Sequence, residues 1–356
     1  GEIIDSVNYV TVNAVNNSGR TYAGGIVGSN DSSSIISNCC NYGLVKKLNG
    51  ESDSSLGGIT GYDYRGDIKL CYNVGEIQGL NDGANAGGLV GYKYIGTVKN
   101  SYNIGNVTSK TGAGGIIGEG KFQISGCYNA GKISVLSVGE DDEWRDGYAG
   151  GIAGGVTYGS VLTKCYNIGN VISARGSSGG IIGESYDDSD ITITTCYNIG
   201  EISCQAGNAG GIAGESAATI SDCFYLDNIS KGVGSGTDAA TKCSSADMQN
   251  EETYGEAFDF DYDMIWAISG TAEYKYPVLT EVVNPEFQYT LSLEAKQGVP
   301  EVPAAVSYGN GKITVKAAAG QKYVCVADSE AGESGIIPAL SSLDWKSASG
   351  SMLTFE

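Results

Sequence analysis

Two short acidic groupings are the places in this chain where side chains could bind something. Asp187, Asp188 and Asp190 fall within four residues. Three carboxylates on a flexible loop, helped by nearby carbonyls, could supply the several oxygen ligands that calcium needs. The plainer alternative is a solvated loop in an acidic protein. Asp142, Trp144, Arg145 and Asp146 lie in the run Glu140–Asp146, where an aromatic face flanked by carboxylates could stack on a sugar and hydrogen-bond it. Here the alternative is an exposed insertion whose Trp packs back on the body of the protein. Phe258–Asp263 alternates aromatic and acid, which suits packing on one side and solvent on the other better than a site.

Catalytic machinery is harder to assemble. Histidine is absent, which removes the commonest general base, the Ser-His and Cys-His pairs and the imidazole-based zinc sites. The 21 basic residues are scattered, with none obviously opposite the acidic loops. No catalytic residue is therefore expected, no cofactor beyond the calcium candidate, and no enzymatic activity. The 41 acidic residues give a net charge of −20, which argues against nucleic acid and anionic membrane surfaces because both require a basic footprint. No run of eighteen apolar residues is present to insert in a membrane. The expected partners are glycans or extracellular proteins, met by a monomer.

The elements that would hold these loops come from a repeat. Gly pairs begin at Gly24, Gly57, Gly87, Gly114, Gly150, Gly179 and Gly210, six intervals averaging 31 residues. An aliphatic follows each pair: Ile26, Ile59, Leu89, Ile116, Ile152, Ile181 and Ile212. Further on runs a column of Cys39, Cys71, Ser101, Cys127, Cys165, Cys196 and Cys223. Beside it stand an aromatic column from Tyr72 to Phe224, begun by Cys40, and an asparagine column from Asn41 to Asn198. An aliphatic column from Val45 to Ile229 completes the unit. A position that accepts Ser for Cys, once per repeat, suggests small buried free thiols rather than obligatory disulfides, although neighbouring copies would lie within bridging distance.

Short β-branched segments separated by Gly at fixed offsets predict strands. A parallel β-solenoid places each residue type over itself in successive windings, about 4.8 Å apart. Aliphatic columns then fill the interior, rings stack, and Asn side chains hydrogen-bond up the ladder. Seven to eight windings are expected, counting a degenerate one at Ser6–Asn8. The Gly pairs are expected at tight corners or close backbone approaches. Insertions at 48–55, 135–148 and 184–190 should map to one face or edge, where such scaffolds usually bind partners.

The core segments Gly58-Ile59-Thr60-Gly61, Gly88-Leu89-Val90-Gly91 and Gly115-Ile116-Ile117-Gly118, most copies trailed by Cys-Tyr-Asn-x-Gly, closely resemble the GLUG-motif repeat of bacterial surface proteins. That repeat occurs in immunoglobulin A-cleaving metallopeptidases and in adhesin-like proteins. The resemblance spans about residues 20–230. It implies an exported protein at the bacterial cell surface and no activity for the repeats themselves. The peptidases carry a His-Glu-x-x-His zinc site in another region, and this chain cannot supply it. Three domains are expected: a solenoid over 1–236, an element over 237–284 that closes its end, and a small Ig-like β-sandwich over 285–356. Ser244 and Asp247 are placed to cap a short helix in the closing element, and Tyr308-Gly309-Asn310-Gly311 signals a hairpin. Three functions follow: an adhesin-like binding and display module, a spacer within a longer surface protein, or, least favoured, a β-helix polysaccharide lyase or hydrolase.

Overall fold

The computed structural model describes residues 1–282, apart from 16–18, 49–52, 82, 137–146, 187–189, 259, 261–265, 269–274 and 280–281, and the backbone of five short strands beyond them. The described residues are all-β, with helix among them limited to three 3₁₀ turns between Asp247 and Ala257. Residues 1–282 form one compact unit and 283–356 a second.

The first unit is a parallel β-solenoid of about seven windings. One winding reads Ser54–Gly57, Thr60–Asp63, Asp67–Lys69, Tyr72–Asn73 and Ile77–Gly79 before the chain begins the next at Ala84. Each strand pairs in parallel with its equivalents above and below, so Tyr72 lies between Cys40 and Tyr102, and Ile77 between Val45 and Val107. Four sheets result. The first holds the strands that lead into the Gly pairs, the second those that leave them, the third the Cys-Tyr-Asn strands, and the fourth the strands at Val45, Ile77 and their equivalents. The degenerate winding is present, with Val7 and Asn8 pairing Cys40 and Asn41.

Strand alternation sorts the columns. Cys and Asn point inward and Tyr outward, because successive side chains of a strand face opposite ways. Cys39, Cys71, Cys127, Cys165, Cys196 and Cys223 are fully buried, as is Ser101. The nine described cysteines are free thiols. Their exchange with Ser has a polar reason as well as a steric one. Cys71 Sγ donates to the carbonyl of Lys69 and Cys165 Sγ to that of Thr163, each two residues back. Ser101 Oγ does the same to Lys99 at 2.7 Å. The position requires a small donor, and a thiol or hydroxyl serves.

Inside, the asparagines form an unbroken ladder. Asn8, Asn41, Asn73, Asn103, Asn129 and Asn167 each donate from Nδ2 to Oδ1 of the next, at 2.7–2.8 Å, ending on Asn198. From Asn8 to Asn198 the same Nδ2 also donates to the carbonyl two residues on, as in Asn73 to Gly75. The second Gly of the first six pairs makes room for this ladder, and the first Gly of each pair for neighbouring backbone. A Cβ on Gly58 would lie 2.4 Å from Asn73 Oδ1 and 2.4 Å from the Gly88 carbonyl, so no side chain fits. Close approach, not positive φ, selects these glycines: none of the seven pairs has a left-handed φ.

The left-handed corner falls elsewhere. The residue before the Cys column takes φ between 47° and 65° in every winding: Asp5, Asn38, Leu70, Asn100, Gly126, Lys164, Thr195 and Asp222. Asn, Asp and Gly tolerate that conformation, whereas Leu70, Lys164 and Thr195 adopt it at a cost of about 1–2 kcal/mol each. The corner bends the third sheet so that Ile68 and Cys71, three residues apart, both point inward.

Two expectations are corrected. The fourth sheet ends at Ile202–Cys204, so Ile229 does not extend it; it packs on the main core cluster instead. The segment after the repeats does not simply close the end. Thr241–Cys243 adds a last strand beside Phe224–Leu226, and the chain then runs back along the flank, over the outward-facing rings. Tyr72, Tyr102, Tyr128, Tyr166 and Tyr197 stack with centroids 4.9–5.1 Å apart. Trp266 lies 5.9 Å from both Tyr166 and Tyr197, Tyr254 and Phe258 pack on Phe224, and Tyr197 OH donates to the Pro277 carbonyl. A row of outward rings is a large apolar stripe, and covering it removes more apolar surface from water than covering one strand edge. The Ser244 and Asp247 pairing is present: Ser244 Oγ donates to Asp247 Oδ2 at 2.7 Å, and Asp247 N–H to Ser244 Oγ at 3.1 Å.

In the second unit, Val306–Gly309 and Lys312–Lys316 form the antiparallel hairpin expected around Gly309-Asn310, with Met352–Phe355 added to its second strand. Lys322–Tyr323 pairs with Lys346–Ser347. Whether these strands close into a sandwich lies outside the described residues.

Candidate functional site

The residues singled out in the sequence fall mostly where the structure is not described. Asp142, Trp144, Arg145 and Asp146 lie outside the described residues, as do Asp187 and Asp188. Asp190 is exposed with φ 65°, a turn residue. Among the described residues no three Asp, Glu or Cys side chains converge on a point that could hold a metal. What the structure does place is the scaffold around these loops. Segments 16–18, 49–52, 82 and 137–146 all enter strands of the first sheet, and 187–189 leaves a strand of the second. The described strands that these insertions join therefore belong to the first two sheets.

Along the seam of these two sheets run two facing rows of residues that sequence columns did not single out, among them the buried Ser55, Tyr148 and Ser177. In the second sheet, one register position reads Ser29, Tyr62, Tyr92, Glu119, Gly155, Glu184 and Glu215. Opposite it, in the first sheet, stand Tyr22, Ser55, Asn85, Gly112, Tyr148, Ser177 and Asn208. At one end Tyr22 stacks on Tyr62 at 4.7 Å, and Tyr62 on Tyr92 at 5.8 Å with planes 9° apart. All three rings are half-buried, and Tyr62 is stacked between the other two.

A polar knot adjoins the rings. Glu119 Oε2 accepts from Tyr148 OH at 2.6 Å and from Asn85 Nδ2. Tyr148 OH also lies 3.0 Å from Asn85 Oδ1. The ring of Tyr148 reaches them by lying across Gly112, where a Cβ would fall 2.2 Å from ring carbon Cε2. Tyr186 meets Tyr148 edge-on at 5.6 Å and remains 42 % exposed. Burial is the main cause that raises the Glu119 carboxyl above its ordinary value, against the opposing hydrogen bonds from Tyr148 and Asn85. Burial likewise raises the phenols of Tyr62 and Tyr92. Further along, Asn208 Nδ2 donates to Glu215 Oε2 at 2.9 Å.

A row of half-buried aromatic rings beside carboxylate, amide and phenol groups can offer apolar surface to sugar rings and hydrogen-bond their hydroxyls. The strip itself carries no cation, and the nearby Arg20 pairs loosely with Asp53 at 3.9 Å in solvent. Pocket chemistry is sparse. A depression of about 220 Å³ is lined by Ile95, Thr97, Lys121, Phe122 and Gln123, and another of about 270 Å³ has Glu201 as its one carboxylate. Neither brings two acids together. Sequence reasoning missed the strip because its members vary in type from winding to winding, so no column announces them. Their fixed offset from each Gly pair was the available signal.

No family model matches the chain, and no curated protein does. Among solved structures, the chain is similar to the crystal structure titled "putative immunoglobulin A1 protease" from Bacteroides ovatus, with 18% identity over 69% of this chain and 78% of that one and a TM-score of 0.45. At that level the similarity bears on neither activity nor partner.

Proposed function

We propose that this chain is a non-enzymatic, extracellular module of the GLUG-repeat kind at a bacterial cell surface, which displays a glycan-binding strip along the seam of its first two sheets. The observation that carries this reading is the stacked set Tyr22, Tyr62 and Tyr92, beside the Glu119–Tyr148–Asn85 knot. Aromatic faces give area at low entropic cost, and the adjoining polar groups give orientation. The surrounding carboxylates favour neutral or amino sugars over sulfated or uronic ones.

Glycan-array binding by the purified chain tests this. Neutral oligosaccharides should bind, and Tyr62→Ala with Tyr92→Ala should weaken the strongest hit at least about tenfold, the loss of roughly 1.4 kcal/mol. Trp144→Ala reports separately on the insertion. An array blank across neutral, amino and acidic glycans would leave the spacer reading in its place. Release of reducing ends or unsaturated sugars from any polysaccharide would overturn the non-enzymatic assignment.

A further inference from the structure

The corner between the second and third sheets holds a buried cluster unconnected with the strip. Asp63 and Lys93 occupy the same register position in successive windings, and both side chains are 0% exposed. Lys93 Nζ lies 2.6 Å from Asp63 Oδ2 and also donates to the Gly66 carbonyl at 2.8 Å. The other carboxylate oxygen is held independently. Asp63 Oδ1 accepts from the Gly66 N–H at 2.8 Å and from Asn30 Nδ2 at 3.0 Å. Asn30 is itself fixed by Ser34 Oγ, which donates to its Oδ1 at 2.7 Å.

This is the arrangement an amide-forming centre requires. Two N–H donors sit on the oxygen that would remain, polarising Cγ and ready to hold negative charge there. The amine abuts the oxygen that would leave, and the Gly66 carbonyl anchors the amine in place, so the reacting atoms are already near attack distance. Burial lowers the Lys93 amine below its ordinary value, against the opposing pull of Asp63, and so favours the neutral nucleophile. A buried ion pair also carries a desolvation cost that a neutral amide does not.

We propose that Lys93 and Asp63 condense into an intramolecular isopeptide bond. The ammonium passes one proton to Oδ2 within the pair. The Nζ lone pair then attacks Cγ, and negative charge gathers on Oδ1 under the Gly66 and Asn30 donors. The Cγ–Oδ2 bond breaks, and Oδ2 departs as water with that proton and a second one from Nζ. Ammonium and carboxylate become one secondary amide and one water, with no change of oxidation state. The bond joins residues 30 apart in sequence, locking one complete winding to the next.

Intact-mass spectrometry of the full, denatured chain tests this directly. The wild type should weigh one water less than its sequence. Trypsin should yield residues 48–65 joined to 70–99, with no cleavage after Lys93. Lys93→Arg should restore the full sequence mass. Asp63→Asn should instead expel ammonia, which brings it to the same final mass as the linked wild type. A wild-type chain at full sequence mass and cleaved normally after Lys93 overturns the proposal, as does a water loss that persists in Lys93→Arg.

Discussion

At the scale of single residues, most polar side chains buried in the body are partnered, with Thr111 Oγ1 and Trp266 Nε1 as exceptions among the described residues. Glu119 shows the consequence. Its carboxylate is held by Tyr148 and Asn85, yet burial still dominates and raises its pKa. A carboxyl group whose folded pKa is raised contributes stability that is fully present below the unfolded value and is lost as pH rises through the folded one. Stability from this residue therefore declines as pH rises above the ordinary carboxyl range. Glu119→Gln keeps an oxygen acceptor and removes the charge, so its melting temperature should exceed the wild type's at pH 7, with the gap closing near pH 4. Melting curves at both pH values check this, and a Gln variant that is less stable at pH 7 would show that the hydrogen bonds outweigh burial.

At the scale of elements, the segment after Cys243 is a strap along the flank. It turns an outward tyrosine row, which would otherwise meet water, into a second core. The difference is visible along the row itself: Tyr72 is only half-buried, whereas Tyr102, Tyr128, Tyr166 and Tyr197 are 5% exposed or less. Trp266 is its central ring, 1% exposed against Tyr166, Tyr197 and Phe258. Trp266→Ala should cost about 3–5 kcal/mol, as large-to-small core changes do. It should leave the β-sheet circular dichroism intact while raising the binding of a hydrophobic dye. Loss of the sheet signal would mean that the strap is required for winding, not merely laid upon it.

At the scale of the whole molecule, stability comes from continuity across windings, since each layer is shared by its neighbours. The asparagine ladder measures this. Asn103→Ala strips a partner from Asn73 Nδ2, Asn129 Oδ1 and the Gly105 carbonyl, all buried. It should cost about 2–4 kcal/mol. Asn8→Ala removes the same chemistry from a half-buried position at the end of the ladder, where water replaces it, and should cost under about 1 kcal/mol. Thermal or denaturant midpoints of the two variants decide it, and equal losses would show that the ladder's contribution is local.

The sequence by itself determined the winding. Recurrence of the Gly pair and of the contiguous Cys-Tyr-Asn run in one order allows one parallel stack, and the period and inward columns followed from residue type alone. So did the hairpin at Gly309-Asn310, because turn chemistry is local. What only the tertiary structure decided was everything carried by irregular positions. The left-handed corner falls on Leu70, Lys164 and Thr195, residues with no intrinsic taste for it, because the bend serves the sheet and not the residue. The strap's place on the flank depends on where the outward rings gather, which no local pattern encodes. The tyrosine–glutamate strip and the Asp63–Lys93 pair each join residues from different windings that share a register position without sharing a type. Repetition makes a scaffold legible, whereas the departures that give one molecule its own surface become neighbours only once the chain has wound.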